Sequence, residues 1–263
     1  MSTLVNTLFD DFSILWPAMI AGVIVTLSHV PLGQQVLARG IVFIDLAIAQ
    51  VAGLGVIGAH SFGFEVGGWI TQAAAMGAAL LGGLLLTWTE RKRPEVQEAL
   101  IGILFVLAST MQILVLANDP HGGEDLKDLL AGQILWVSTD QLLRAAILTA
   151  IFLIAWFGFR ERIGRVGFYV LFALMVTVSV QLVGVYLVFT SLIVPAVATY
   201  RYRVSRQLAI GYGLAIASYI AGLVLSAIND LPSSPVVVWA MALIGLLVHA
   251  VGKDAREKAH AAQ

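Results

Sequence analysis

The sequence contains no cysteine, and few of its residues carry a charge. Without cysteine there is no thiol nucleophile, no disulfide and no thiolate metal ligand. Charged residues make up 12% of the 263 positions, whereas a soluble domain carries about 25%. The net charge of −1 leaves no basic surface for phosphates. The composition therefore excludes thiol chemistry, and we expect neither a soluble domain nor a nucleic-acid partner.

Two further features are missing. The first eleven residues carry Asp10 and Asp11 but no lysine or arginine, so they do not form the basic region of a cleavable signal peptide. We therefore expect the first apolar run to stay as a membrane span. The chain also has no P-loop and no nucleophile elbow. Any work driven by ATP would then require a second polypeptide, and the chain itself is predicted not to be an enzyme.

Apolar residues dominate what is present, with 59% hydrophobic residues and a mean hydropathy of +0.92. A membrane-spanning helix needs roughly 20 apolar residues. Runs of that kind lie near 12–30, 41–60, 67–89, 96–117, 140–159, 207–228 and 234–251. A longer run, 166–200, is interrupted by Gly184 and Pro195 and fits either two tilted spans or one span plus a broken or re-entrant helix. These runs predict an all-α membrane bundle of about eight or nine helices over 1–252, followed by a short charged cytoplasmic tail, 253–263.

The basic residues predict an orientation. Of the 15 lysines and arginines, 13 fall in five places: Arg39; Arg91, Lys92 and Arg93; Arg160, Arg162 and Arg165; Arg201, Arg203 and Arg206; Lys253, Arg256 and Lys258. Cytoplasmic connections carry an excess of such residues. All five places can be cytoplasmic only if 166–200 leaves that face and returns to it. The N-terminus is then outside and the C-terminus inside, which favours nine crossings, with eight plus a re-entrant element as the alternative.

Asp45 is the clearest charged residue inside an apolar run. A carboxylate within the membrane is costly and marks an ion path or a helix partner. The alternative is that Asp45 lies just over one turn from the interface and pairs with a cytoplasmic arginine. Gln50 lies on the same predicted helix, but a spacing of five residues turns it about 140° away from Asp45. The two could line one cavity only if its wall wraps the helix or the helix is distorted, and Gln50 alone is more typical of a helix–helix hydrogen bond.

The connection at 119–128 is predicted to be external and holds one imidazole and four carboxylates. His121, Glu124 and Asp125 are its candidate contacts for a divalent cation or for a binding protein, because imidazole and carboxylate are ligands for such ions. The alternative is a solvated turn in which Glu124 and Asp125 lie near the start of the next helix.

Three arginines, Arg201, Arg203 and Arg206, follow Pro195 and a short helix-capable stretch. They could simply enforce the topology, as basic residues do at the cytoplasmic face. They could also form the surface on which a cytosolic subunit acts.

Four stretches, taken in order, resemble one family. They are 39–50, 98–103, 120–124 running on to 130–137, and 183–196. Together they resemble the permease subunits of bacterial metal-uptake ABC transporters, the ABC-3 type of zinc, manganese and iron importers. The resemblance implies a permease homodimer in the bacterial inner membrane, two cytosolic ABC ATPase subunits and a periplasmic or extracellular metal-binding protein. It also implies that the segment after Pro195 forms the helix that couples to the ATPase. No cofactor would be bound permanently, since the metal ion is transported and ATP acts through the partner subunit.

The sequence departs from that family at one position. Many members carry Asp-x-x-x-His in the second span, but the residue four positions after Asp45 is Ala49, and the nearest polar side chain is Gln50. Only Asp45 carries over directly. Without the imidazole a tight zinc site is less favoured, and an oxygen-rich path leaves manganese and iron as candidates.

Two other functional classes fit the composition. A secondary transporter working alone on an ion gradient could use Asp45 as its proton or cation site. A membrane enzyme or scaffold is the third class, but intramembrane His, Asp and Glu residues are not clustered in the way an enzyme would need.

Overall fold

The computed structural model describes residues 2–65, 68–117, 119–120, 122–159 and 162–252, with side chains from residue 15 onward except that of Asp125. His121 and the predicted tail 253–263 lie outside the described residues. The fold is helical, as predicted. The described residues form ten α-helices: α1 (Ser2–Arg39), α2 (Ile44–Ser61), α3 (Trp69–Lys92), α4 (Gln97–Leu116), α5 (Gly122–Ala131), α6 (Thr139–Gly158), α7 (Arg165–Val183), α8 (Val185–Thr199), α9 (Val204–Asn229) and α10 (Ser233–Val251).

Eight helices of the described chain are long and apolar enough to cross a bilayer. They are α1 from Leu15 onward, α2, α3, α4 with the turn before it, α6, α7, α9 and α10. Helix α8 has 15 residues, about 22 Å at 1.5 Å per residue, against a hydrocarbon core of roughly 30 Å. Residues 166–200 therefore form one helix of spanning length, α7, and one shorter helix, α8.

The predicted break at Gly184 is confirmed. Gly184 has φ of 81° and ψ of 163°, a backbone conformation that favours glycine, and its N–H still donates to the Val180 carbonyl at 2.8 Å. The predicted break at Pro195 is wrong, because Pro195 lies buried inside α8. Helices α1, α9 and α10 pack around α8, and neighbouring helices allow a proline to stay within a membrane helix.

A second internal proline shows how the neighbours compensate. Pro31 lies inside α1 and has no N–H, so the helix leaves the carbonyl of Leu27, four residues earlier, without its usual donor. The hydroxyl of Tyr212 on α9 donates to that carbonyl at 3.2 Å. The same packing buries His29 completely. The apolar run near 12–30 ends next to His29, which would have put that imidazole at the membrane interface. Helix α1 instead continues to Arg39, so His29 lies well inside the helix.

The described basic clusters lie at one end of the bundle, which we call the basic end. There, Arg165 of α7 pairs with Glu90 of α3 at 3.3 Å, and Arg39 lies 4.0 Å above the ring of Phe168 on α7. Helices α1 and α9 are antiparallel, because a Cβ on Gly22 would meet Tyr219 while one on Gly211 would meet Val30. The start of α9, with its arginines, therefore lies beside the end of α1.

Helix α8 connects the two ends of the bundle despite its length. Near its start, the Ser234 hydroxyl of α10 donates to the Val183 carbonyl. Near its end, His249 of α10 lies 3.2 Å from the Val197 carbonyl. Residues 166–200 thus leave the basic end and return to it, as the clustering of basic residues required.

Large apolar side chains cover the outside of the bundle. Trp69, Leu81, Trp239 and Leu247 are each between 68% and 75% exposed. A soluble protein rarely leaves this many large apolar side chains in water. Together with the eight spans, this surface is that of a multi-pass membrane protein.

Candidate functional site

Asp45 lies in the first turn of α2 and is fully buried. Within the described residues neither of its carboxylate oxygens has a hydrogen-bond partner, and no arginine lies within ion-pair distance of it. The predicted alternative, a pair with a cytoplasmic arginine, is therefore not formed by any arginine that the structure describes. The nearby Arg39 instead stacks on Phe168. A buried carboxylate without a partner is costly in a low-dielectric interior, and a bound cation would remove that cost.

Gln50 contacts another helix rather than Asp45. The side-chain amide of Gln112 on α4 donates to the Gln50 side-chain oxygen at 3.0 Å and to the Gln50 backbone carbonyl at 2.6 Å. Gln112 is fully buried, and its own side-chain oxygen has no partner among the described residues. The prediction of a helix–helix hydrogen bond by Gln50 is confirmed. Gln112 was not singled out from the sequence, although an amide inside the apolar run 96–117 is a usable signal.

The end of α2 farthest from Asp45 opens onto a cavity of about 310 Å³, which we call the vestibule. Its polar lining comes from five separate parts of the chain: His60, Thr71, Gln72, Asp128, Gln133, Gln141 and Gln181. Gln72 of α3 donates to the side-chain oxygen of Gln181 on α7, and Gln133 donates to the Asp128 carboxylate at 2.6 Å. The vestibule is therefore a cavity with several polar side chains in its wall, at the end of the bundle opposite the basic end.

Of the three predicted external contacts, the structure describes the side chain of Glu124. Glu124 is exposed near the start of α5, which begins at Gly122 as the alternative prediction expected. His121 and the side chain of Asp125 are outside the described residues. The carboxylate of this stretch that lines the vestibule is Asp128. Within the described residues no three His, Asp or Glu side chains gather in a way that could hold a metal ion.

A contact between two glycines holds one wall of the vestibule. Gly132, which lines the cavity, has φ of 72°, and Gly184 has φ of 81°. A Cβ on Gly132 would overlap the backbone of Val183 and Gly184, and a Cβ on Gly184 would overlap Gly132 in turn. The connection after α5 is therefore in direct backbone contact with the break between α7 and α8.

Helix α8 runs from this contact to the predicted coupling region. Residues after Pro195 continue α8 as far as Thr199 and do not form a separate helix. The following turn is anchored by the Tyr202 hydroxyl, which donates to the Val248 carbonyl at 2.8 Å. Arg203 and Arg206 are exposed and Arg201 is half-buried at this end. Arg203 and Arg206 are thus presented to solvent beside this anchored turn.

Comparison with known proteins adds an assignment to this geometry. Residues 11–168 and 157–252 match the model of the ABC 3 transport family. The chain is 24% identical over 257 residues to the high-affinity zinc uptake system membrane protein ZnuB of Haemophilus influenzae, covering 90% of this chain and 97% of that protein. It is 24% identical over 251 residues to the manganese transport system membrane protein MntC of Halalkalibacterium halodurans, covering 87% and 84%.

A solved structure has the same fold. PsaBC from Streptococcus pneumoniae in complex with Fab superposes with a TM-score of 0.77 at 20% identity, covering 97% of this chain and 98% of that one. At this identity the match concerns the arrangement of helices. The match extends over nearly the whole chain.

Proposed function

The chain belongs to the ABC 3 transport family, and on that premise we propose that it forms the membrane path of an ATP-driven importer for a divalent transition-metal ion. Asp45 is the observation that carries the proposal, because a fully buried carboxylate with no protein partner among the described residues is suited to a passing cation. The chain is the transport component, and hydrolysis of ATP belongs to another subunit.

The path would run along α2. A cation would arrive at the vestibule end, pass the amides of Gln50 and Gln112, and reach Asp45 near the basic end. The basic end would face the cytoplasm, since basic connections favour that side. The N-terminal end of α1 would then be external and the C-terminus cytoplasmic, in the inner membrane of a bacterium.

The partners follow from the same premise. A periplasmic or extracellular metal-binding protein would deliver the ion at the vestibule end. Two copies of this chain would pair, and cytosolic ABC ATPase subunits would act on the turn that presents Arg201, Arg203 and Arg206. Movement of that turn would be transmitted through α8, which reaches from it to the Gly132–Gly184 contact.

The metal would be manganese, zinc or iron. Relatives named for zinc and for manganese uptake are equally distant from this chain. The donors near the path are a carboxylate and two amides, and oxygen donors suit manganese and iron better than they suit zinc. We therefore place manganese and iron ahead of zinc.

The test replaces Asp45 by asparagine, which keeps the volume and removes the charge. In cells whose only copy is Asp45→Asn, we expect metal accumulation to fall by at least about tenfold, a loss of about 1.4 kcal/mol or more of binding to the path. Zinc, manganese and iron are measured separately by mass spectrometry against a deletion strain. The matched control is Asp230→Asn, at an exposed carboxylate that follows α9. Asp230 has a left-handed backbone conformation, which asparagine also adopts readily, so this substitution changes only the charge.

Assembly is followed by copurification of the ATPase subunit with each variant. Normal metal accumulation in cells that carry Asp45→Asn in an assembled complex would show that the role of Asp45 is structural. Uptake into proteoliposomes that continues without any ATPase subunit would overturn the proposed function as a whole.

A further inference from the structure

We propose that the vestibule is a first binding station, at which His60 and Asp128 hold a partly hydrated divalent cation before it moves on to Asp45. This inference rests on the proposed function and adds a second site to it. The station lies on the opposite end of α2 from Asp45. The two residues are fifteen positions apart, about 22 Å along a helix.

His60 presents a nitrogen suited to a metal. It lies in the last turn of α2, and its Nδ1 is 3.4 Å from the carbonyl oxygen of Phe64. A carbonyl oxygen only accepts hydrogen bonds, so a hydrogen bond at this contact requires the proton to be on Nδ1. The lone pair then lies on Nε2, and a backbone carbonyl on the other ring nitrogen is a common support for a metal-binding histidine.

Asp128 contributes the charge. It lies on α5 and lines the same cavity as His60. Gln133 donates to its Oδ2 at 2.6 Å, which fixes the orientation of the carboxylate. A carboxylate can accept further partners at its second oxygen. Imidazole and carboxylate together form the beginning of a site for a borderline divalent ion.

The cavity is large enough for an ion that keeps most of its water. Six water molecules occupy about 180 Å³ at about 30 Å³ each, and the vestibule measures about 310 Å³. Amide side chains in its wall, including Gln72 and Gln181, can hydrogen-bond those waters. The Nε2 of Gln181 is buried and has no partner among the described residues, so it is a donor ready for a water oxygen.

The donor set predicts weak binding, which suits a station on a path. The described residues contain no group of three or more His, Asp or Glu that would hold the ion tightly. An ion must bind well enough to enter a path and weakly enough to leave each site. A tight site at the vestibule would stop transport, whereas two protein ligands plus water would not.

An apolar contact separates the station from the deeper residues. Leu129 of α5 lines the vestibule and also packs against α2, where a Cβ on Gly53 would lie 2.6 Å from its Cδ2. The same Cβ on Gly53 would lie 3.1 Å from the side-chain nitrogen of Gln112. The order along the path is therefore the vestibule, Leu129, the pair Gln50–Gln112, and Asp45.

The uptake experiment uses His60→Gln and Asp128→Asn as sole copies in cells, with external metal varied over a wide range. We expect the half-saturating concentration to rise by about tenfold for each variant, with the maximal rate changed less than about twofold, because the station acts before the transport step. Asp128→Glu, which keeps the carboxylate, is expected to recover part of the loss. The controls are His249→Gln at the basic end and Asp140→Asn, an exposed carboxylate paired with Arg144.

A binding experiment isolates the station. The complete transporter in lipid nanodiscs, carrying Asp45→Asn, is titrated with Mn²⁺ and followed by electron spin resonance. We expect one weak Mn²⁺ site per chain that disappears when His60→Gln and Asp128→Asn are added. Loss of signal on adding Asp140→Asn instead would contradict the assignment.

The outcomes separate the station from the proposed function. If Asp45→Asn abolishes uptake while His60→Gln and Asp128→Asn leave the half-saturating concentration unchanged, the station is wrong and the function stands. If a deletion strain accumulates all three metals normally, the proposed function itself fails.

Discussion

The contact between Gly132 and Gly184 gives the sharpest prediction of the fold. In Gly132→Ala, an L-residue must occupy φ of 72°, which costs roughly 1–2 kcal/mol. The added Cβ would also overlap backbone atoms of Val183 and Gly184, which cannot move aside by changing rotamer. Overpacking of that kind costs typically about 1–3 kcal/mol. The expected total is about 2–5 kcal/mol.

Thermal unfolding of the purified transporter measures this loss. A change of 1 kcal/mol lowers the melting temperature by about 2–4 °C in a chain of roughly this size, so we expect a fall of about 4 °C or more. The control is Gly213→Ala in the middle of α9, where a Cβ would have no neighbour within 4 Å. That substitution is expected to be neutral or slightly stabilising, since alanine favours helix. Equal melting temperatures for the two variants would refute the backbone contact.

Two further predictions concern polar contacts between helices. Gln112→Leu removes both hydrogen bonds to Gln50 and should destabilise the chain by about 1 kcal/mol. In a double-mutant cycle with Gln50→Leu, followed by thermal unfolding, the two losses of stability should not add. Additive losses would contradict the pairing. Tyr212→Phe removes the donor to the Leu27 carbonyl that Pro31 leaves free. Tyr212→Phe should lower the free energy of unfolding by roughly 0.6 kcal/mol. The control Tyr186→Phe, on the exposed face of α8, should leave it unchanged. Equal losses of stability in the two variants would show that the Tyr212 hydrogen bond contributes nothing.

Much of the fold could be predicted from local composition. Each apolar run near the length of a bilayer became a helix, because a membrane leaves the backbone few other ways to satisfy its hydrogen bonds. The break at Gly184 was also readable, since glycine permits the backbone conformation found there. At Pro195, by contrast, the local sequence predicted a break that does not form. Its effect depends on whether neighbouring helices hold the segment, and α8 is packed on several sides.

The candidate site could be predicted at Asp45 and Gln50 but not beyond them. A carboxylate in an apolar run is visible in the sequence, and the structure buries it without a partner among the described residues. Gln112 and the vestibule residues could not be grouped, because they come from helices far apart in the chain. His60 and Asp128 are 68 positions apart, and no local period relates them.

The sequence by itself determined that this protein is a helical membrane bundle with its described basic clusters at one end and a buried carboxylate on its second span. Those properties follow from hydropathy and charge, which act residue by residue against the bilayer. Only the tertiary structure decided that Gln50 pairs with Gln112, that Gly132 meets Gly184, and that His60 and Asp128 share a cavity. These pairings depend on how whole helices pack, and close packing selects among arrangements that the same local pattern allows.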